Sequence, residues 1–233
     1  MKASHRQFFD AYQRWCAPLT TVRTAATPPD MIVGPVADSE GWVEWKLVPC
    51  DVDFSDAFTG IERRLGYPLP PSFKAWFGAF FTLDMDVSVV RLPENPSNAP
   101  LQPLEKRVVK PDPFDEAARS LGLIPFGDEA MMDAGPLCFD PRGRSDPDGW
   151  PVTYWDHEWA GTDQQIGPPI FSCFEKLIEC CTHYMDAAAG AEASGRELLK
   201  VRGTLLGSMI ALDPDGAGGP GRPYWDCWIK EEA

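Results

Sequence analysis

His157 lies between two acids, in the run Asp156-His157-Glu158, and is the first residue whose surroundings suggest chemistry. Neighbouring carboxylates raise the pKa of an imidazole, and such a histidine can serve as a general acid or base. His157-Glu158 also begins like the helix of a zinc protease, in which a second histidine follows at the fifth position. Gly161 occupies that position here. We therefore predict that His157 is a polar residue that closes a strand.

Metal binding would have to draw on cysteines, because the chain has three histidines in 233 residues. Cys180 and His183 are one turn apart on a predicted helix, and Cys173 lies two turns before Cys180. A tetrahedral site would still lack its fourth ligand, and free cysteines are usually buried. Two Asp-Pro-Asp-Gly runs, which begin at Asp146 and Asp213, form turns and lack the further acids of a calcium loop. We predict no metal site.

A glycine-rich run, 216–221, matches the G-x-G-x-x-G pattern of dinucleotide-binding loops. That pattern works between a strand and a helix whose first N–H groups face the pyrophosphate. Twelve residues follow the run, too few for a helix and a returning strand, and Pro220 lacks an N–H donor. We predict a flexible, turn-rich loop and no cofactor.

The stretch from Asp128 to Asp163 carries nine acids and two bases, so its net charge of −7 is half the −14 of the chain. One interpretation is a solvated hairpin whose tryptophans turn into the core. The other is an interface for a basic partner, in which aromatic anchors are ringed by charge. The second interpretation makes these residues partner-binding: Asp128, Glu129, Asp133, Asp146, Asp148, Trp150, Trp155, Asp156, Glu158 and Trp159.

The elements that would position these residues include two helices joined by a stiff corner. The apolar stripe of the first helix falls at i, i+4, i+7 and i+11, on Phe54, Phe58, Ile61 and Leu65. Gly66 suits the left-handed position after a helix, and Pro71 suits the start of the next one. The second helix would bury Phe73, Trp76, Phe77 and Phe80.

Four further helices are predicted, and the last of them follows a capping box of Ser194 and Glu197. One runs from His5 to Cys16, with a capping box formed by Ser4 and Gln7. A second is brief, with an apolar face of Phe114, Ala117, Ala118 and Leu121. The third follows a capping box of Ser172 and Glu175 and carries an apolar face as far as Met185.

Alternating and β-branched residues predict strands at 43–47, 86–92 and 108–109. A hairpin is predicted between Pro136 and Tyr154, with a long acidic tip. Prolines in the segment 93–103 predict a linker or exposed arm. We expect an α+β fold with an N-terminal helix and strand extension (1–52), a central domain (53–185) and a C-terminal helix with an aromatic tail (186–233).

Four segments in this order make the chain from Asp53 to Met185 resemble the SUKH superfamily, the cell-wall-assembly-regulator-like family. They are Ile61-Glu62-Arg63-Arg64-Leu65-Gly66-Tyr67-Pro68-Leu69-Pro70, Leu123-Ile124-Pro125-Phe126-Gly127-Asp128, the hairpin from Cys138 to Glu158, and Ser172-Cys173-Phe174-Glu175-Lys176-Leu177. The resemblance implies an antiparallel or mixed sheet of about six strands, with helices packed mainly on one face. It also implies a binding protein without catalytic activity.

Members of this superfamily commonly bind a secreted polymorphic toxin and block its active site, so the resemblance implies an immunity protein. The acidic charge favours a basic partner, such as a nuclease domain. A second hypothesis is an intracellular regulator or scaffold of the same superfamily. A third is a hydrolase that uses paired carboxylates, since thirty-five acids always include suitable pairs.

Bulk properties exclude other classes. An acidic protein repels nucleic-acid backbones, and the longest apolar run, 75–83, is about half of what a membrane helix needs. The first residues lack the apolar core of an export signal. Seven cysteines without C-x-x-C spacing indicate reduced thiols rather than a disulfide framework. We therefore expect a soluble cytoplasmic protein, with a monomer favoured.

Overall fold

The computed structural model describes residues 2–35, 40–195 and 201–230, and these form a mixed α+β fold. The helices are α1 (Ala3–Trp15), α2 (Ser55–Leu65), α3 (Pro71–Phe77), α4 (Gln102–Val109), α5 (Pro113–Ser120), α6 (Phe174–Ala193), α7 (Arg202–Leu212) and α8 (Arg222–Lys230). The strands are β1 (Thr20–Val22), β2 (Ile32–Val33), β3 (Trp42–Trp45), β4 (Val48–Pro49), β5 (Phe80–Phe81), β6 (Val90–Arg91), β7 (Ile124–Glu129), β8 (Pro136–Phe139) and β9 (Val152–Tyr154). Short 3-10 helices occupy Pro29–Met31 and Pro147–Gly149.

The described strands pair in three separate antiparallel sheets instead of the one sheet of about six strands that we expected. Their orders are β1-β3-β2, β4-β5 and β6-β7-β8-β9. Short strands explain the division. β4 ends at Pro49, which has no N–H to extend the ladder beyond its pairing with Phe80. The four-stranded sheet is the largest and carries the predicted hairpin.

In that hairpin β8 pairs with β9, so that Leu137 faces Tyr154 and Phe139 faces Val152. Residues 140–151 connect the two strands and form what we call the hairpin tip. The residues just before β8 and just after β9 lie at the other end, which we call the hairpin base. With a rise of about 3.3 Å per residue, the two ends are separated by roughly 10–13 Å.

The predicted helical corner is confirmed. Gly66 follows α2 in the left-handed conformation, with φ of 83°, and Pro71 opens α3. Phe73, Trp76 and Phe77 of α3 are buried, as predicted, but Phe80 lies beyond the end of this helix, in β5, and is half-buried. The corner therefore fixes the angle at which α3 enters the core.

The core is aromatic and surrounds Phe73. Its ring lies 5.6 Å from that of Phe126 on β7, 5.5 Å from Phe139 on β8 and 5.2 Å from Phe174 on α6. Phe126 and Phe139 stack with their centroids 4.0 Å apart. Such pairs add about 0.5–1.5 kcal/mol each beyond their buried area. They hold the four-stranded sheet against α3 and α6.

Helix α6 contacts both the N-terminal and the C-terminal segment of the predicted division. It runs across the boundary that we placed between 185 and 186, and it packs against both α1 and α7. One core cluster contains Phe8 from the N-terminal segment and Trp225 from the C-terminal one. Among the described residues, no helix combines the length and the apolar character that crossing a membrane requires.

Two local predictions between 86 and 109 are wrong, and the strand predicted at 86–92 is only partly confirmed. The strand is confined to β6, and Val108 belongs to α4, where it is buried with Leu104 on one helical face. The segment 93–103 packs into the protein instead of forming a linker. Its Asn95 is buried, pairs with Thr82 through the backbone, and donates from Nδ2 to Phe77 O at 3.1 Å.

Two of the three predicted capping boxes are also wrong, and the third includes Glu197, which lies outside the described residues. Neither α1 nor α6 has a side-chain cap on its first N–H groups. Instead the Ser4 hydroxyl donates to Glu175 Oε2 at 3.1 Å, and the buried His5 ring lies 3.1 Å from Glu175 Oε1. Lys2 completes this cluster as an ion pair with the same carboxylate. The two residues that we expected to cap their own helices join α1 to α6.

The C-terminal loop is packed, not flexible. The Asp213 carboxylate is buried and accepts from Gly216 N at 3.1 Å and from Ser172 N at 2.8 Å. A Cβ atom built on Gly216 would lie 2.3 Å from Asp213 Oδ2, so this position has no room for a side chain. Helix α8 follows the glycine run, and a helix, α7, precedes it where a dinucleotide site needs a strand. The aromatic residues that we placed in a tail are buried, namely Tyr224, Trp225 and Trp228.

Candidate partner-binding surface and acidic cavity

Glu129, a predicted partner-binding residue, is enclosed by the protein. Its side chain accepts hydrogen bonds from Met131 N at 2.8 Å and Ala134 N at 3.0 Å. The Tyr224 hydroxyl donates to Glu129 Oε1 at 2.5 Å, which links the turn before β8 to α8. Glu129 is 2 % exposed. It stabilises the fold and is in no position to contact a partner.

Trp150 and Trp155 are buried as well, so the first interpretation of the acidic stretch holds for both of them. Trp150 donates from Nε1 to Arg144 O at 3.3 Å. Trp155 packs with Ala118, Leu123 and Cys138 in a second, smaller core cluster. Both tryptophans flank β9, and every residue from 150 to 155 is buried because this part of the sheet is covered on both faces.

The acids of the hairpin tip have structural contacts. Asp148 Oδ1 accepts from Ser72 N at 2.8 Å and from the Ser72 hydroxyl at 2.7 Å. Asp148 therefore caps the first turn of α3 from a distant part of the chain. Asp146 is exposed and accepts from Asp148 N at 3.1 Å. The tip is thus fastened to the helical corner.

The hairpin base presents the remaining predicted residues to solvent. Asp133, Glu158 and Trp159 are exposed, and Trp159 retains 49 % of its accessible surface. Asp156 is half-buried and accepts from Glu158 N at 2.9 Å. His157 Nδ1 donates to Ala134 O at 2.6 Å, which holds the chain after β9 beside the turn that carries Asp133.

Phe114 adds an aromatic side chain to this end of the molecule, and the sequence analysis missed it. We predicted it on the buried face of its helix, but it is 55 % exposed. The Asp112 carboxylate accepts from Phe114 N and Asp115 N, both at 2.9 Å, and so sets the first turn of α5. That turn directs Asp115 inward and leaves Phe114 outside.

The exposed Phe114 ring joins the hairpin base through two ring contacts. It lies 5.8 Å from the His157 ring and 6.0 Å from Trp155. We call this surface the hairpin-base patch, which comprises Phe114, Asp133, Asp156, His157, Glu158 and Trp159. No cation of the described residues forms an ion pair with the acids of this patch. The patch therefore combines exposed aromatic area with uncompensated negative charge.

Asp128, the last of the predicted residues, belongs to a different feature. Its carboxylate accepts from Arg107 Nη2 at 2.8 and 3.0 Å. The same guanidinium donates to Gly127 O and lies 3.6 Å from Asp115 Oδ1. Arg107 therefore connects α4 to β7 and α5, at the wall of a cavity.

This cavity has a volume of about 310 Å³, at the lower end of the range for small-ligand sites. Its walls combine buried apolar side chains, among them Met85, Leu92 and Phe126, with charged groups. The charged groups are Asp84, Arg91, Glu94, Lys106, Arg107, Asp112, Asp115 and Asp128. Five are acids and three are bases, so the walls carry an excess of negative charge when all are ionised.

Three of the cavity carboxyls titrate abnormally. Burial raises the pKa of Asp115 from 3.8 to about 6, against the opposing effect of Arg107. Partial burial also raises the pKa of Asp84 and of Glu94, and the negative charge of Asp84 raises that of Glu94 further. Both carboxyls line the same cavity as Asp115.

The arrangement suits holding a cation better than paired-carboxylate hydrolysis. Asp115 and Asp128 share one guanidinium, so Arg107 lies between them where a hydrolase would place its substrate. Among the described residues, no three His, Cys, Asp or Glu side chains are placed to hold a metal ion. Cys180, one of the ligands considered above, is fully buried, and burial raises the pKa of its thiol.

No model of a known protein family matches this chain, and no curated protein sequence matches it. The SUKH resemblance therefore rests on the four segments of this sequence.

Proposed function

We propose that this protein is a cytoplasmic immunity protein of the SUKH type, which binds a basic toxin domain through the hairpin-base patch and covers its active site. One observation carries the proposal. Phe114 and Trp159 expose about half of their surfaces beside Asp133, Asp156 and Glu158, and no described cation pairs with these acids. We expect no catalytic activity.

The chemistry of the patch supports a tight protein–protein contact. Exposed aromatic side chains are the commonest anchors of such interfaces, and loss of one typically costs about 2 kcal/mol or more of binding free energy. Carboxylates around them attract a basic surface and raise the association rate at low salt. The net charge of −14 also attracts a basic partner, at longer range than the carboxylates of the patch do.

The secondary structure of the four segments supports the superfamily assignment. They form the α2–α3 corner, β7, the β8–β9 hairpin and the start of α6. Each segment on which the resemblance rests thus forms a regular element. Within the proposal, the sheet β6-β7-β8-β9 corresponds to the centre of the SUKH sheet.

A growth assay tests the proposal. The product of the gene beside the one for this chain is expressed in a bacterial host, with and without the chain. We expect that product to arrest growth and the chain to restore it. Restoration should be lost with Phe114→Ala combined with Trp159→Ala, each contributing roughly 30-fold in affinity.

A charge pair provides the matched control. Glu158→Lys and Asp10→Lys change the net charge equally, and both acids are exposed, but Asp10 lies on α1. Glu158→Lys should slow association with the purified toxin domain, whereas Asp10→Lys should leave it nearly unchanged. If both variants slow association equally, the hairpin-base patch is not the surface that binds the toxin domain. A neighbouring product without toxicity would remove the immunity function itself.

The alternative is a non-catalytic regulator or scaffold that docks several host proteins through the same patch. It predicts no growth arrest by the neighbouring gene product. It also predicts that Phe114→Ala weakens binding to each host protein. Size-exclusion chromatography with light scattering tests the monomer that we propose for either function.

A further inference from the structure

We propose that the acidic cavity is a binding site for one alkyl cation, a guanidinium or ammonium group on a short apolar chain. This inference goes beyond toxin binding, because it concerns a different surface and is tested without a partner protein. Three independent features of the cavity lead to it.

The first feature is the distribution of charge. Two of the three lining bases already have partners, since Arg91 pairs with Asp86 at 3.0 Å and Arg107 with Asp128 at 2.8 Å. In the part of the chain that the structure describes, Asp84 and Glu94 form no ion pair. The cavity is thus lined by two carboxylates that form no ion pair with any described residue.

The second feature is a buried carboxyl that lacks a hydrogen-bond donor. Asp115 is 4 % exposed and lines the cavity. Within the described residues its carboxyl oxygens accept no hydrogen bond, and the nearest Arg107 nitrogen is 3.6 Å away, beyond hydrogen-bond distance. Buried carboxylates are ordinarily satisfied, so an incoming N–H donor would complete this one.

The third feature is the apolar part of the wall. Met85, Leu92 and Phe126 are fully or almost fully buried and line the same cavity as the carboxyls. They suit the methylene chain behind a guanidinium, in the way that long basic side chains lie along apolar surface. Lys106 is the exception, because it is a lining cation that lacks an ion pair among the described residues. It should therefore weaken the binding of a cation.

The test uses butylguanidinium and its neutral isostere butylurea, titrated into the full chain and followed by NMR. Butylguanidinium should shift the backbone amide signals of 84–94 and 112–128 to saturation, and butylurea should not. Asp84→Asn combined with Glu94→Gln should weaken binding about tenfold or more. The control, Asp10→Asn with Glu44→Gln, removes the same charge at exposed positions on α1 and β3 and should change affinity less than about twofold.

Lys106→Gln tests whether the cavity prefers a cation or an anion. It should raise the affinity for butylguanidinium about twofold to fivefold, whereas a site for an anion would require the opposite. N-acetyl-arginine methylamide distinguishes the source of the cation. Binding equal to that of butylguanidinium fits a protein side chain, and binding of butylguanidinium alone fits a free small molecule.

Three results would overturn the inference. They are equal binding of butylurea, equal weakening by the control variant, or amide shifts that never saturate. If the double variant does not fold, Glu94→Gln alone carries the comparison, because Glu94 lies exposed at the surface of the cavity. None of these results bears on growth protection, so this inference and the proposed function stand or fall separately.

Discussion

Replacing Asp115 by asparagine should stabilise the protein at neutral and alkaline pH. The folded protein raises the pKa of this carboxyl from 3.8 to about 6, because burial disfavours its charged form. Between these two values the folded state binds more protons than the unfolded state. Stability is therefore lost as the pH rises through this window, and the loss is complete above pH 6. Asparagine has the shape of the protonated acid and carries no such penalty.

The size of the stabilisation by Asp115→Asn follows from the pKa shift of Asp115. A difference of roughly 2.2 units at 1.36 kcal/mol per unit corresponds to about 3 kcal/mol at pH 8. At pH 4.5 the same linkage gives about 1 kcal/mol, since most of the folded protein is still protonated there. Asp115 is 4 % exposed, so solvent screens little of this energy. The 3.6 Å contact with Arg107 is already included, because it lowers the pKa and burial still prevails.

Urea unfolding followed by tryptophan fluorescence measures the effect at both pH values. Asp115→Asn should raise the free energy of unfolding above that of the wild type, and the gap should widen from pH 4.5 to pH 8. The control is Asp133→Asn, an exposed acid without an ion pair among the described residues, which should change stability by less than about 0.5 kcal/mol. If Asp115→Asn is less stable than the wild type at pH 8, then pairing with Arg107 outweighs burial and the reasoning is wrong.

Three other outcomes are expected. Tyr224→Phe should lower the free energy of unfolding by about 1.5–3 kcal/mol, measured by urea unfolding, because the buried Glu129 carboxylate loses a donor. Gly216→Ala should lower it by about 3 kcal/mol or more, whereas Gly207→Ala, which has open space around its Cβ position in α7, should raise it by about 0.5–1 kcal/mol in the same assay. Phe114→Ala should shift the thermal midpoint very little but weaken toxin binding in calorimetry; a large loss of stability would show that Phe114 serves the core.

The features that could be predicted from the sequence are those that neighbouring residues determine. The corner is an example, because Gly66 and Pro71 act through their own backbone angles. The β8–β9 hairpin and the apolar face of α6 follow from local periodicity in the same way. The fold class could therefore be predicted from the sequence. The number and pairing of the strands could not, because pairing depends on contacts between distant residues.

The residues that were placed wrongly have partners far along the chain. Ser4 bonds Glu175 across 171 positions, and no local rule distinguishes that contact from two capping boxes. Asp115 lies among charges that the fold gathers from α4 and β7. Phe114 fits the apolar stripe of its helix, yet the cap at Asp112 turns it outward. A capping acid two residues before an aromatic is the local signal that would have found it.

Of the ten residues predicted to bind a partner, the chemically similar ones proved to have different roles. Glu129 and Asp148 are acids that satisfy backbone N–H groups, whereas Glu158 is open to solvent. Sequence charge alone does not separate a structural carboxylate from a free one. The distinction requires the positions of the donors.

The hydrogen bond between Tyr224 and Glu129 also bears on when the protein becomes functional during its synthesis. A ribosome that has released β7 still holds α8, which lies 95 residues further on. Until that helix emerges, the buried Glu129 carboxylate lacks the Tyr224 hydroxyl that donates to it. Phe171 likewise lacks its ring contact with Trp225. The turn next to the hairpin base is therefore completed only when α8 joins the fold. Binding of the proposed partner should begin only after translation has passed this helix.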